Sequence, residues 1–304
     1  MFIEEYLRDL RQARFTPRAI GTYARRVGAR VRLDLLASPS AVRSIWTLAL
    51  AYFALAFVAA AGISWAWDRE MAVRFFVDSA LWMLGAFGFV TLFIGLLRDP
   101  SGYRLSSLNV PLALTLLRVA LLPGICVFLE EHHYTLALVA YVVAGLSDVF
   151  DGWLARRWRQ ITPMGTVLDP LVDIVFNLAV LFALTAAGLL PRWVFWIGFT
   201  RYATLVVGGA ALYLFVGPVT IRPTVFGRFT GVVMTSLIAL FTLFHALHAA
   251  ALGGMTRLTE VALGLLLGAT TAQIVLVGWY NLRLMTGGVR EHGHVVGDVR
   301  WRSR

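Results

Sequence analysis

Ser147-Asp148-Val149-Phe150-Asp151-Gly152-Trp153-Leu154-Ala155-Arg156 is followed, after an eight-residue connector, by Gly165-Thr166-Val167-Leu168-Asp169-Pro170-Leu171-Val172-Asp173. Four of the ten aspartates of the chain lie in this segment, and both of its halves run into apolar sequence. A carboxylate at the centre of a membrane helix costs ~3 kcal/mol on insertion scales, so acidic residues kept there mark a functional site. Asp148, Asp151, Gly152, Ala155 and Arg156 fall on one helical face, and Gly165, Asp169 and Asp173 on one face of the next helix. The connector reverses the chain, which predicts antiparallel neighbouring helices with converging carboxylates.

The rest of the chain makes membrane burial the right frame. Of 304 residues, 59% are hydrophobic and 14% charged, with a mean hydropathy of +0.75. Soluble domains carry about a quarter charged residues. Spans of about 20 apolar residues are expected at Ser44–Trp65, Val73–Leu97, Val110–Leu129, Tyr134–Phe150, Thr166–Leu190, Trp193–Val216, Phe229–Leu252 and Val261–Met285. The fold class expected is therefore an all-α integral membrane protein with eight spans. Residues 1–43 hold nine Arg and no apolar signal-peptide core. Within them Thr16-Pro17 reads as a helix cap, and Ile20, Tyr23, Val27 and Val31 form an apolar stripe among arginines, the pattern of a helix lying in the headgroup region.

All 27 basic residues are Arg. Twenty-one of them fall on the side that is cytoplasmic if the N-terminus is inside, four on the other side, and Arg118 and Arg201 within spans. The positive-inside rule then places both termini and the connector in the cytoplasm. The net charge of +10 follows this topology, which argues against a nucleic-acid partner. Cys126 is the only cysteine, excluding an intramolecular disulfide and a thiolate cluster. His245 and His248 lie three apart without an accompanying carboxylate, so packing is expected of them rather than metal ligation.

An all-oxygen donor set suits Mg²⁺ or Mn²⁺. Two such ions would neutralise the carboxylates and clamp a diphosphate during in-line displacement. The alternative of another class, a cation transporter, calls for carboxylates divided between repeats near mid-membrane, whereas here they cluster at one face and no repeat is visible.

Asp148-x2-Asp151-Gly152-x2-Ala155-Arg156-x8-Gly165-x3-Asp169-x3-Asp173 resembles the signature of the CDP-alcohol phosphatidyltransferases. The resemblance extends from about Asn109 to about Thr230, taking in Asn109-Val110-Pro111 with Thr115 and Arg118, and Arg222-Pro223-Thr224 with Gly227-Arg228. It implies a six-helix core, here spans three to eight, preceded by two extra spans. The organisation expected is a basic amphipathic segment 1–43, a two-span extension 44–104, a catalytic core 105–285 and an Arg-rich tail 286–304. It further implies that Asp148, Asp151, Asp169 and Asp173 ligate two divalent ions, with Asp173 also the general base. Gly152, Ala155, Arg156, Thr162, Gly165 and Thr115 would hold the cytidine diphosphate.

The partners implied are CDP-diacylglycerol, a small alcohol and the lipid bilayer, with a homodimer allowed and no nucleic acid. The setting expected is a bacterial inner membrane. The segment is most similar to the branch that makes phosphatidylglycerol phosphate from glycerol 3-phosphate. That branch usually has Lys after the last aspartate, where this chain has Ile174. Arg118, Arg201, Arg222 and Arg228 are the candidates for a phosphate-bearing acceptor, since guanidinium groups bind phosphate bidentately. Inositol phosphate, serine, another alcohol, or phosphatidylglycerol as in cardiolipin synthesis are the alternative acceptors.

Overall fold

The structure is a computed structural model that describes residues 9–10, 12–211, 213–214, 225–247 and 253–291, without the side chains of 225–229, 253 and 280–291. Its described residues are mostly helical, with no β-strand beyond an isolated bridge between Arg98 and Arg104. Helix α1 (Pro17–Leu36) starts where the cap reading places it, with Thr16 Oγ1 accepting from the Ala19 amide at 3.4 Å and Pro17 at its first turn. Two antiparallel helices follow, α2 (Pro39–Ala66) and α3 (Arg69–Leu92). Asp68 caps the second, accepting from the Glu70 and Met71 amides. After a 3₁₀ turn at Ile94–Leu96 come α4 (Val110–Glu130), α5 (Tyr134–Arg157), α6 (Pro163–Ala186), α7 (Arg192–Ala211), α8 (Val225–Ala246) and α9 (Gly253–Glu291).

Seven of these helices are long and apolar enough to cross a membrane. The eighth expected span falls on α8, a helix of 22 residues whose described side chains, from Thr230 to Ala246, form an apolar stretch. The chain is nonetheless an all-helical membrane protein, as its composition requires.

Helices α4 to α9 close a circuit in which α4 packs on α5, α5 on α8, α8 on α9, α9 on α7, α7 on α6, and α6 back on α4. Tyr141 of α5 and Phe176 of α6 stack at 5.8 Å within it, and the Tyr141 hydroxyl reaches the Thr235 carbonyl of α8. As expected, α5 and α6 are antiparallel neighbours, in contact through Tyr141 and Phe176, but the backbones of both lie closest to α4, which leaves a crevice between them. The short connector ties only their ends.

The extra helices dock on the outside of α4. Ile45 of α2 and Phe87 of α3 share a core with Leu116 of α4 and Leu168 of α6. Arg74 of α3 pairs with Glu130 and Glu131 at the far end of α4, which clamps the two helices together. Asp34, buried at the end of α1, takes Arg104 Nη2 at 2.5 Å and Arg30 Nε at 3.2 Å, which fastens α1 to the linker entering α4. Glycine at 95 permits this: a Cβ there would stand 2.4 Å from Asp34 Oδ2.

Candidate active site

Three helix ends meet at one face of the circuit. Asn109 caps α4 by accepting from the Leu112 amide at 3.2 Å, and its Nδ2 donates to the Gln160 carbonyl at 2.8 Å, so it also clasps the connector. Thr162 caps α6, its Oγ1 accepting from the Gly165 amide at 3.1 Å. The first turns of α4 and α6 and the last turns of α5 enclose a cavity of about 200 Å³ lined by Thr115, Asp151, Gly152, Ala155, Arg156, Thr162, Gly165 and Asp169, among others. Two helix N-termini, with their positive dipole ends, favour a phosphate there. Arg156, at the C-terminal end of α5, adds a guanidinium. Gly152 leaves it room: a Cβ on Gly152 would lie 3.3 Å from Arg156 Nη1.

Deeper in the crevice the carboxylates gather around α4. The buried Thr115 hydroxyl lies 2.9 Å from Asp151 Oδ2, 3.4 Å from Asp169 Oδ1 and 3.1 Å from the Pro111 carbonyl. It has one proton to share among them. Three residues on, Arg118 is 4% exposed and sits between the acidic side chains. Its Nη1 donates to Asp173, while Nη2 stands 2.5 Å from Asp148 Oδ1 and 3.5 Å from Asp151 Oδ2. The two Nη2 contacts are ion pairs, and neither Nη2 nor Nε has a hydrogen-bond partner. Asp151 is buried, whereas the Asp148 and Asp173 side chains are about half exposed toward the open side of the crevice.

Divalent cations fit this donor set. Four carboxylates face a single guanidinium, the available donors are oxygens, and two of the carboxylates have open sides. Hard oxygen-seeking ions suit such a surplus of negative charge. Among the described residues no three Asp, Glu, His or Cys side chains are already drawn around one point, because Arg118 stands between Asp148 and Asp173. His245 accords with packing: its Nδ1 lies 2.9 Å from the Phe241 carbonyl, and its ring lies against Tyr134 and Phe241. His248 lies outside the described residues.

A model of the CDP-alcohol phosphatidyltransferase family matches residues 108–285. The chain belongs to that family. It is 37% identical over 125 residues to a CDP-diacylglycerol–glycerol-3-phosphate 3-phosphatidyltransferase of Aquifex aeolicus, a match covering 40% of this chain and 69% of the relative. It is 42% identical over 71 residues to a CMP-forming cardiolipin synthase of Streptomyces coelicolor, covering 23% of this chain and 33% of the relative. A human CMP-forming cardiolipin synthase is 35% identical over 84 residues, covering 27% and 28%. The chain thus spans about a third or less of the cardiolipin synthases it matches. No solved structure matches it.

Membership of this phosphotransferase family covers the six-helix circuit and leaves α1, α2 and α3 outside the match. Of the arginines expected to meet an acceptor, Arg118 has carboxylate partners instead. Arg201, on α7, holds its guanidinium 4.7 Å from the centre of the Tyr202 ring, with a buried Nε that makes no hydrogen bond. Arg222 lies outside the described residues, as does the side chain of Arg228. The sequence does not by itself mark Arg118 as the counter-ion of the crevice. A lone Arg in an apolar helix, three residues after a Thr on the same face, was the available signal.

Proposed function

We propose that the chain transfers the phosphatidyl group of CDP-diacylglycerol to glycerol 3-phosphate and releases CMP, in phospholipid synthesis at the cytoplasmic face of the membrane. The observation that carries this reading is the junction of two features: a phosphate-sized cavity at two helix N-termini, and a crevice with four carboxylates around Thr115 and Arg118. The cavity suits the cytidine diphosphate, with Arg156, Gly152 and Gly165 against it and Thr162 holding the start of α6. Asp148, Asp151, Asp169 and Asp173 would hold two Mg²⁺ or Mn²⁺ ions, which when bound neutralise the diphosphate and the charge on departing CMP. Asp173, half exposed one turn below Asp169, takes the proton of the acceptor hydroxyl as its oxygen forms the new bond to phosphorus and the bond to CMP breaks. Arg118 keeps the carboxylate aimed by its hydrogen bond.

Similarity to cardiolipin synthases favours phosphatidylglycerol as the second acceptor to consider, and Ile174 in place of the usual Lys fits an acceptor without a free phosphomonoester. The test is an assay of purified protein with CDP-diacylglycerol against both acceptors, with CMP release measured. Phosphatidylglycerol phosphate as the product, lost with EDTA and restored by Mg²⁺ or Mn²⁺, supports the reading. Cardiolipin as the sole product overturns the acceptor, and full turnover in metal-free buffer overturns the metal site.

A further inference from the structure

Helix α6 separates two crevices. The acidic one lies between α5 and α6; the other lies between α3 and α6, which both pack on α4 without packing substantially on each other. The second crevice contains an apolar cavity of about 340 Å³ with Leu116, Leu122 and Leu168 as its buried floor and Trp82, Gly85 and Leu171 at its open rim. A second cavity of about 150 Å³ shares Phe89, Leu168 and Leu171 with it and continues to Leu96 and Met164 at the start of α6. The Trp82 indole N–H is already spent on the Val119 carbonyl at 2.9 Å, so that side chain offers no polar group to a guest. An apolar cavity of ~150 Å³ stays dry and accepts a hydrocarbon, and this one is more than twice that size.

Its length and place narrow the occupant. From Met164 to Phe176 the groove follows twelve residues of α6, or ~18 Å at 1.5 Å per residue. One leaflet of the hydrocarbon core is about 15 Å deep, half of ~30 Å. The groove begins at Met164, in the same helical turn as Gly165 and Thr166, which line the phosphate cavity on the other side of α6. A lipid whose headgroup occupies that cavity therefore has a hydrocarbon slot of one-leaflet depth beside it.

We propose that the groove between α3 and α6 seats one acyl chain of the phosphatidyl donor, so that α3, outside the family match, acts as a wall selecting the donor lipid. This rests on the function proposed above. Lipid tails are as apolar as the groove, so seating gains little from hydrophobicity; the groove acts by shape, fixing where the scissile phosphate stands.

Gly85 is the position to fill. A Cβ there meets nothing within 4 Å, and the residue lies eight positions from Phe93, ~12 Å along α3. Gly85→Phe plugs the groove below the reach of a hexanoyl chain but within that of a palmitoyl chain. Gly88→Phe adds the same bulk to the same helix outside the groove, where a Cβ also meets nothing. The experiment measures KM and kcat with dihexanoyl and dipalmitoyl CDP-diacylglycerol in mixed micelles, and CMP affinity by titration. Misfit of a chain in an apolar slot is typically worth ~10-fold or more. The expected result is such a rise in KM for the dipalmitoyl donor in Gly85→Phe alone, with the dihexanoyl KM and CMP affinity unchanged. Equal KM values for the dipalmitoyl donor in wild type and Gly85→Phe overturn the groove assignment while leaving the proposed reaction standing. A rise of the same size in Gly88→Phe also overturns it, because bulk anywhere on α3 then suffices. No turnover of either donor by the wild type overturns the underlying reaction.

Discussion

Arg118 and Asp173 sit on neighbouring helices and share a hydrogen bond, yet substitutions at the two test different properties of the crevice. Removing Arg118 leaves four carboxylates without their internal cation. Breaking a buried ion pair by deleting one partner costs about 3–5 kcal/mol, so Arg118→Met should lower the melting temperature of protein in EDTA, with Mg²⁺ restoring more of the loss than it adds to the wild type. An unchanged melting temperature in EDTA would show that the arginine contributes no net neutralisation. Asp173→Asn keeps the size and an oxygen but cannot take a proton. General-base catalysis is worth ~10²–10⁴-fold, so kcat should fall at least that far while CMP binding stays near normal; near-normal turnover would remove Asp173 from the proton transfer. The aspartates could be read from the sequence because their spacings are local, three and four residues along a helix. Their counter-ion could not, since Arg118 meets Asp173 across 55 positions and nothing in a local pattern registers that contact.

One helix start was legible in the same way: Thr16-Pro17 opens a helix where its cap reading places it, and Asn109-Val110-Pro111 and Thr162-Pro163 turn out to open helices by the same device. The closest neighbour of each helix was not legible. A tight connector makes α5 and α6 antiparallel neighbours, but it constrains only two ends, and the backbones of both lie closest to α4. The fastening of α1 also escaped the sequence, where residues 1–43 read only as a basic surface helix. Its Asp34–Arg104 pair joins positions 70 apart and depends on bare glycine at 95. Gly95→Leu should push Asp34 away from Arg104 and free α1. A hydrogen bond between charged groups contributes roughly 1.5–3 kcal/mol, and local opening governs cleavage, so trypsin should cut within Pro17–Leu36 about tenfold faster. Gly62→Leu, where a Cβ meets nothing, is the control; equal cleavage of the two variants would show that the Asp34 pair does not hold α1 down.

Across the molecule the arginines and the helix lengths make separate statements about topology. The 21-to-4 arginine bias requires an even number of crossings, with residues 1–43, the 158–162 connector and the tail on one side. Seven helices meet the length and hydropathy of a span, and an odd number would put the tail opposite the connector. The difference rests on α8, whose 22 residues, Val225–Ala246, extend ~33 Å at 1.5 Å per residue, against a hydrocarbon core of ~30 Å. Placing the tail arginines on the wrong side opposes the arginine bias. Eight crossings should therefore prevail. With Cys126 removed by Cys126→Ala, single cysteines at Gln160 and Ser303 should both resist a membrane-impermeant maleimide in intact cells and react once the membrane is opened. Labelling of Ser303→Cys from outside with Gln160→Cys protected would mean that α8 does not cross. Labelling of both from outside would invert the whole orientation and place the carboxylate crevice on the face away from the cytoplasm, where no CDP-lipid made inside the cell could reach it without first crossing the membrane.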